Sequence, residues 1–142
     1  MPRQGTSIRI RPDLKEALAR RAREAGTSPA ALYERFLDEG LRHEEHPLIL
    51  FRDGAGGRRA VLAGSRLAVA QVIDTLMATE GETDAARVRE TAEYLAIPVA
   101  YVTACIRYYA EYKAEVDAWR ARAAEVAERE HEAWLREQAV LA

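Results

Sequence analysis

Ser7, Arg9 and Arg11 take alternate positions in the segment Thr6-Ser7-Ile8-Arg9-Ile10-Arg11. Period two sends these three to one face of an extended strand and Ile8 and Ile10 to the other. A hydroxyl and two guanidinium groups in one row suit the reading of base edges. Arg9 can grip guanine O6 and N7 with both arms of its fork, and Ser7 can donate or accept. The major groove admits a two-stranded ribbon, so two such strands paired antiparallel would aim all these side chains at the bases. Further on, Ser28 precedes Pro29 at the start of a helical pattern. A helix N-terminus there, with its free N–H groups and positive dipole end, suits a DNA phosphate. The competing reading is an edge strand whose arginines face water. The order strand, helix, Gly, Ser/Thr, helix that follows favours the DNA reading; residues 1–25 also hold seven basic and three acidic residues, a candidate face for a polyanion, although the 142-residue chain as a whole carries −2.

Catalytic chemistry finds little to work with. Ser7, Ser28 and Ser65 are the only serines, and none stands in a nucleophile turn. Cys105 is the single cysteine, which excludes an internal disulfide and any zinc site built on several thiolates. It falls on the apolar face of a helix and reads as buried filler. His43 and His46 flank Glu44 and Glu45 without the His-Glu-x-x-His spacing and without an evident third ligand. They read as a solvated linker, with no metal. Gly54, Gly56 and Gly57 lack a following Gly-Lys-Ser/Thr and a helix, so they read as a turn and not a phosphate loop. Tyr101, Tyr108, Tyr109 and Tyr112 share one helix; stacking on bases is the sharper reading, core and interface the plainer one. No enzyme and no cofactor are expected.

Elements must position the Ser/Arg row. Pro12 ends the strand and opens a helix, with Leu14, Leu18 and Ala22 along one stripe. Gly26 stops that helix in the left-handed region, Thr27 or Ser28 caps the next, and Leu32, Tyr33, Phe36, Leu37 and Leu41 follow. One strand and two helices over residues 5–46 are too few to fold alone, and a lone strand leaves both ladder edges open. An intertwined homodimer, or a higher oligomer, is therefore expected.

Leu48–Arg52 and Arg59–Leu62 then read as a short hairpin about a glycine-rich turn. Leu67–Thr79 reads as a helix with Val69, Val72, Ile73 and Leu76 inward. Thr83 caps a helix from Asp84 to Leu95, Ala96-Ile97-Pro98 is a turn, and a new helix starts at Val99. Helix, short turn, helix is the outline of a helix-turn-helix. Residues 99–142 contain no glycine or proline. As one helix they would span about 66 Å, far beyond the width of a small domain. A break is expected near Glu111–Asp117 or Glu128–Glu132. An apolar stripe runs from Cys105 through Tyr108, Tyr112, Val116, Trp119, Ala123 and Val126, and Trp134, Leu135, Val140 and Leu141 follow. An amphipathic helix that outruns its domain needs a partner surface.

The first segment resembles the ribbon-helix-helix repressor family, which includes CopG-like regulators and many antitoxins. Thr6-Ser7-Ile8-Arg9-Ile10 matches its ribbon, Leu14 and Leu18 its first-helix core, and Gly26-Thr27-Ser28 its inter-helix turn. The resemblance covers about residues 3–45. It places the ribbon role on Ser7 and Arg9. Gly5, at the third alternate position, departs from the pattern because it has no side chain, and Arg11 falls at the strand–helix junction, where phosphate is the nearer target. The middle, about residues 48–113, is similar to a small helical domain that accompanies VapB-type antitoxins. Gly64-Ser65-Arg66-Leu67-Ala68-Val69 is similar to its Gly-Thr-Arg-Ile-x-Val signature, and Tyr94-Leu95, Ala104 and Tyr108-Tyr109 match later positions. Arg66 reads as a salt-bridged structural arginine before any ligand role.

These resemblances imply an antitoxin that binds operator DNA of its own operon and neutralises a PIN-domain ribonuclease, the cognate toxin. An antitoxin arginine can enter the toxin's carboxylate cluster. Arg120, Arg122, Arg129 and Arg136 are the candidates, with Trp119 and Trp134 as anchors. The alternative is a stand-alone ribbon-helix-helix repressor whose C-terminal helix is an oligomerisation arm. The expected architecture is mainly α. It comprises a ribbon-helix-helix unit (1–46), a hairpin with a helix-turn-helix-like helical domain (47–113), and a long C-terminal helical arm (114–142). No leader-like segment and no apolar run near 18 residues is present, so a soluble, cytoplasmic protein without membrane contact is expected.

Overall fold

Proline and glycine punctuate the first two helices. In the computed structural model, which describes residues 1–54 and 56–142, Pro12 opens α1 (Pro12–Glu24) at the position where its missing N–H costs nothing. Beyond its end, Gly26 adopts a φ of +64°. That left-handed residue lets Thr27 N–H reach Ala22 O at 3.0 Å and Gly26 N–H reach Arg23 O at 3.2 Å, which satisfies two orphan carbonyls. Ser28 Oγ then accepts from Ala31 N–H at 3.1 Å and caps α2 (Pro29–Glu45).

The chain divides into two compact units, Met1–Leu41 and Arg42–Ala142. In the first, only Ala22 and Leu32 are buried, while Ile8, Leu14, Phe36, Leu37 and Leu41 stay exposed. Residues 1–11 form neither helix nor strand. The strand expected at Thr6–Arg11 is thus not formed within one chain. A strand needs a ladder partner, and this unit contains no second strand to supply one.

The second unit starts with the hairpin. Strands β1 (Ile49–Gly54) and β2 (Gly57–Leu62) pair antiparallel, with Ile49 opposite Leu62 and Gly54 opposite Gly57. Ala55, part of the expected turn, lies outside the described residues. Four helices follow: α3 (Val69–Ala78), α4 (Asp84–Leu95), α5 (Val99–Glu111) and α6 (Lys113–Leu141). Thr83 Oγ1 caps α4 by accepting from Ala86 N–H, as its sequence position predicts. Arg87 of α4 reaches back to the last carbonyls of α3, donating to Leu76 O at 3.0 Å and to Thr79 O at 3.2 Å. A cation at a helix C-terminus satisfies both its open acceptors and its dipole.

Ile49, Leu62, Val69, Val72, Ile73, Val102, Cys105 and Tyr108 form the centre of the core. Val69, Val72 and Ile73 are the inward face expected of α3, and Leu76 packs at its edge. Cys105 is fully buried, and desolvation pushes its thiol up to about 12, so it is inert filler.

The long C-terminal segment is two helices. The break falls at Tyr112, inside the first of the two expected windows, and α6 runs unbroken through the second. Neither glycine nor proline causes it. Tyr112 leaves helical geometry (φ −114°, ψ +40°) while its ring packs against Tyr108 at 4.7 Å. The Arg42 guanidinium lies 4.1 Å from the centroid of the same ring. Tertiary packing overrides local propensity here. No helix among the described residues is long and apolar enough to cross a membrane.

Candidate nucleic-acid interface and partner helix

Within the first unit, Ser7, Arg9 and Arg11 are all exposed. Arg9 makes no ion pair among the described residues. Arg11 Nε lies 3.4 Å from Asp13 Oδ1, and Arg3 Nε lies 3.4 Å from Glu34 Oε2. Both pairs are solvent-exposed, so they hold their arginines weakly and leave them exchangeable for phosphate. Ser28 caps α2, whose first turn carries no acidic side chain to repel an anion. On the same unit, Ile10, Leu14, Leu18, Tyr33, Phe36 and Leu37 line an open apolar groove of about 340 Å³.

The second unit carries the C-terminal residues, and it does not gather them into one site. Val116 is buried, and Trp119 and Arg120 are partly buried; from Ala121 onward every residue of α6 except Ala133 is exposed. Trp119 lies over the hairpin turn. A Cβ at Gly56 would stand 2.8 Å from its ring, so any larger residue there would have to push the ring aside. The Arg122 guanidinium stands over the Trp119 ring, 4.2 Å from its centroid. Arg120 is engaged by the fold: Nε donates to Asp74 at 2.6 Å and an NH group to Asp117 at 3.0 Å. Among the described residues, Arg129 bonds only its own helix, at Glu125. Trp134 is half exposed and stacked on His131 at 6.0 Å, and Arg136 is exposed. Trp119, Arg120 and Arg122 thus sit on the docked part of α6. Arg129, Trp134 and Arg136 lie on the part that projects.

Asp117 gathers three donors: Lys113 at 2.5 Å, the Tyr109 hydroxyl at 2.8 Å and Arg120 at 3.0 Å. The hydrogen bonds from Lys113, then Tyr109, hold its carboxyl down at about 2. A folded value below the unfolded one stabilises the fold above pH about 4, and that contribution is lost as pH falls towards 2. The expected result is that Asp117→Asn flattens the fall in melting temperature between pH 4 and 2. Parallel thermal melts across pH 2–6 check it, and an unchanged acid limb would show that the cluster does not couple to folding.

Sequence reasoning missed a second cluster. Arg42 donates to the Tyr108 hydroxyl at 2.9 Å and to Glu115 at 2.5 Å, and its guanidinium stands over Tyr112. Burial alone would lower the Arg42 pKa, but the hydrogen bonds to Glu115 and Tyr108 outweigh it and raise it. Desolvation pushes the Tyr108 hydroxyl up to about 12. His43 is exposed, as expected of a solvated residue, but His46 is not. His43 Nδ1 meets Ile49 O at 3.0 Å, and the His46 side chain is only 11% exposed. The fold needs the end of α2 as a wall for the tyrosines of α5, which no short-range pattern shows. Glu45, His46 and Glu111 also bring three possible metal-ligand atoms within 4.8 Å of one another. Arg66 differs from expectation too, since it is exposed and makes no ion pair among the described residues. Ser65 does the structural work of that turn, donating to Leu62 O and accepting from Leu67 N–H. The four tyrosines pack in or against the core, which leaves stacking on bases without support.

Comparison with known proteins gives no matching family model, no matching curated protein and no matching solved structure.

Proposed function

We propose that the chain is an antitoxin of the ribbon-helix-helix class. Two copies pair residues 6–11 into an antiparallel ribbon and cover each other's α1 and α2. Ser7 and Arg9 then read base edges in the major groove of operator DNA, while Arg11 and the Ser28 end of α2 hold phosphates. The projecting part of α6 captures a PIN-domain ribonuclease, with Trp134 as anchor and Arg129 or Arg136 directed at the acidic site of the toxin. The chain itself is not an enzyme in this reading.

One observation carries the proposal. An exposed alternating Ser/Arg segment leads into two helices whose apolar side chains Leu14, Phe36, Leu37 and Leu41 remain uncovered. Burying such half-covered side chains is worth about 1 kcal/mol each, enough to hold a dimer together once the ribbon adds its ladder. A second reading, a repressor with α6 as an assembly arm, draws on exposed Val126, Trp134, Leu135, Val140 and Leu141.

Fluorescence anisotropy on DNA from upstream of the chain's own coding sequence tests the DNA half. Arg9→Ala is expected to cost about 1–3 kcal/mol of affinity and to relax base preference at one position. The wild-type affinity should fall steeply with salt. Equal affinity for both proteins would remove the ribbon from the account.

A further inference from the structure

Glu45 and His46 stand at the end of α2, and Glu111 is the last residue of α5. All three belong to the second unit. His46 is held from both directions along the backbone: its N–H donates to Arg42 O at 2.8 Å, and its carbonyl accepts from Ile49 N–H at 2.9 Å. Its ring packs edge-on against Tyr108 at 5.3 Å and Tyr112 at 6.1 Å, which fixes the imidazole plane. So oriented, Nε2 lies 2.8 Å from Glu111 Oε2. The Glu45 carboxylate joins the same spot, where the three ligand atoms lie within 4.8 Å of one another. Two carboxylates this close repel each other when ionised, and a cation between them removes that cost.

We propose that Glu45, His46 and Glu111 bind one divalent transition cation of the zinc class. One imidazole nitrogen and two carboxylate oxygens form a borderline donor set, which favours Zn²⁺ over Mg²⁺ or Ca²⁺, whose preferred shells are all oxygen. Zinc holds nitrogen and oxygen ligands at about 2.1 Å, and tetrahedral geometry spaces them about 3.4 Å apart. The 2.8 Å pair opens by a few tenths of an ångström to admit the ion. The exposed Glu45 side chain supplies the remaining adjustment by rotation. Three protein ligands leave the fourth position to water. His46 gives the site its direction, because its ring is the one ligand the core holds rigid. The ion would clamp the end of α2 to the end of α5, across 65 residues of chain. Metal binding to the folded chain alone raises stability by mass action.

Calorimetric titration of untagged, chelator-stripped full-length protein with zinc chloride at pH 7 tests this, with magnesium chloride in parallel. The expected result is one zinc ion per chain, a melting midpoint raised by several degrees, and no comparable magnesium response. Glu45→Gln and Glu111→Gln alter exposed side chains and should leave the apo melt nearly unchanged while weakening zinc at least tenfold. His46→Gln should abolish binding, but it also alters core packing, so the two glutamine variants of the carboxylates decide the matter. Absence of zinc binding up to millimolar concentration would leave only a His46–Glu111 hydrogen bond. Binding that survives both carboxylate variants would place the ion elsewhere. Either result overturns the proposal.

Discussion

If the proposed function holds, removing the chain beyond Ala127 is expected to abolish neutralisation of a toxin while leaving DNA binding and the melt of the second unit intact. The cut position follows from where α6 stops being part of the core. Val116 is buried and Trp119 covers the hairpin turn, so a cut at residue 113 would strip side chains that the domain needs. Beyond Ala127 the residues are exposed apart from Ala133, and Arg129, Trp134 and Arg136 are among them. Their loss removes little packing. It removes a helical stretch of about 21 Å with two cationic side chains and an aromatic anchor. Co-expression of the toxin with full-length or shortened chain measures the effect as survival. Growth rescued equally by both would refute the assignment of this segment, and a shortened chain that melts lower would mean that the segment is structural.

Tyr108→Ala is expected to destabilise the second unit by about 3–5 kcal/mol, the range for removing a large buried aromatic. Tyr108 has no exposed surface. Its ring meets Tyr112 at 4.7 Å, His46 at 5.3 Å and Phe51 at 6.4 Å, so the α5–α6 junction, the residue after α2 and β1 all lose a shared contact. Its hydroxyl also accepts from Arg42, a charge-assisted bond. Tyr108→Phe keeps the ring and loses only that bond, so a smaller cost of about 1–3 kcal/mol is expected. Urea denaturation followed by tryptophan fluorescence separates the two, since Trp119 reports on this core. A Tyr108→Ala loss no larger than that of Tyr108→Phe would show that the hydrogen bond, and not the ring, carries the site.

Local signals were legible where chemistry is short-range. Gly26, Ser28, Thr83 and the Ala96-Ile97-Pro98 turn mark helix ends because caps depend on a few neighbouring residues. The inward face of α3 follows from helical spacing. Cys105 declared itself by its apolar surroundings. What stayed hidden depends on distant residues. Tyr112 carries no breaker character; it interrupts the helix because Tyr108 and Arg42 hold its ring. His46 looked solvated beside three charged neighbours, and only α5, from far along the chain, covers it. Arg120 read like its neighbours Arg122 and Arg129, yet Asp74 of α3 engages it. The Ser/Arg row is a reading of alternation in the sequence alone. Its strand was not formed within one chain, because the ladder it requires needs a second strand.

The central claim is that two copies complete the first unit on DNA. Sedimentation velocity of the full chain with a short duplex from the upstream region measures this directly. The account predicts two chains per site, or a multiple of two, and loss of that complex when Phe36→Glu places a charge on the uncovered apolar face. One chain bound per site, or a dimeric complex untouched by Phe36→Glu, would contradict it.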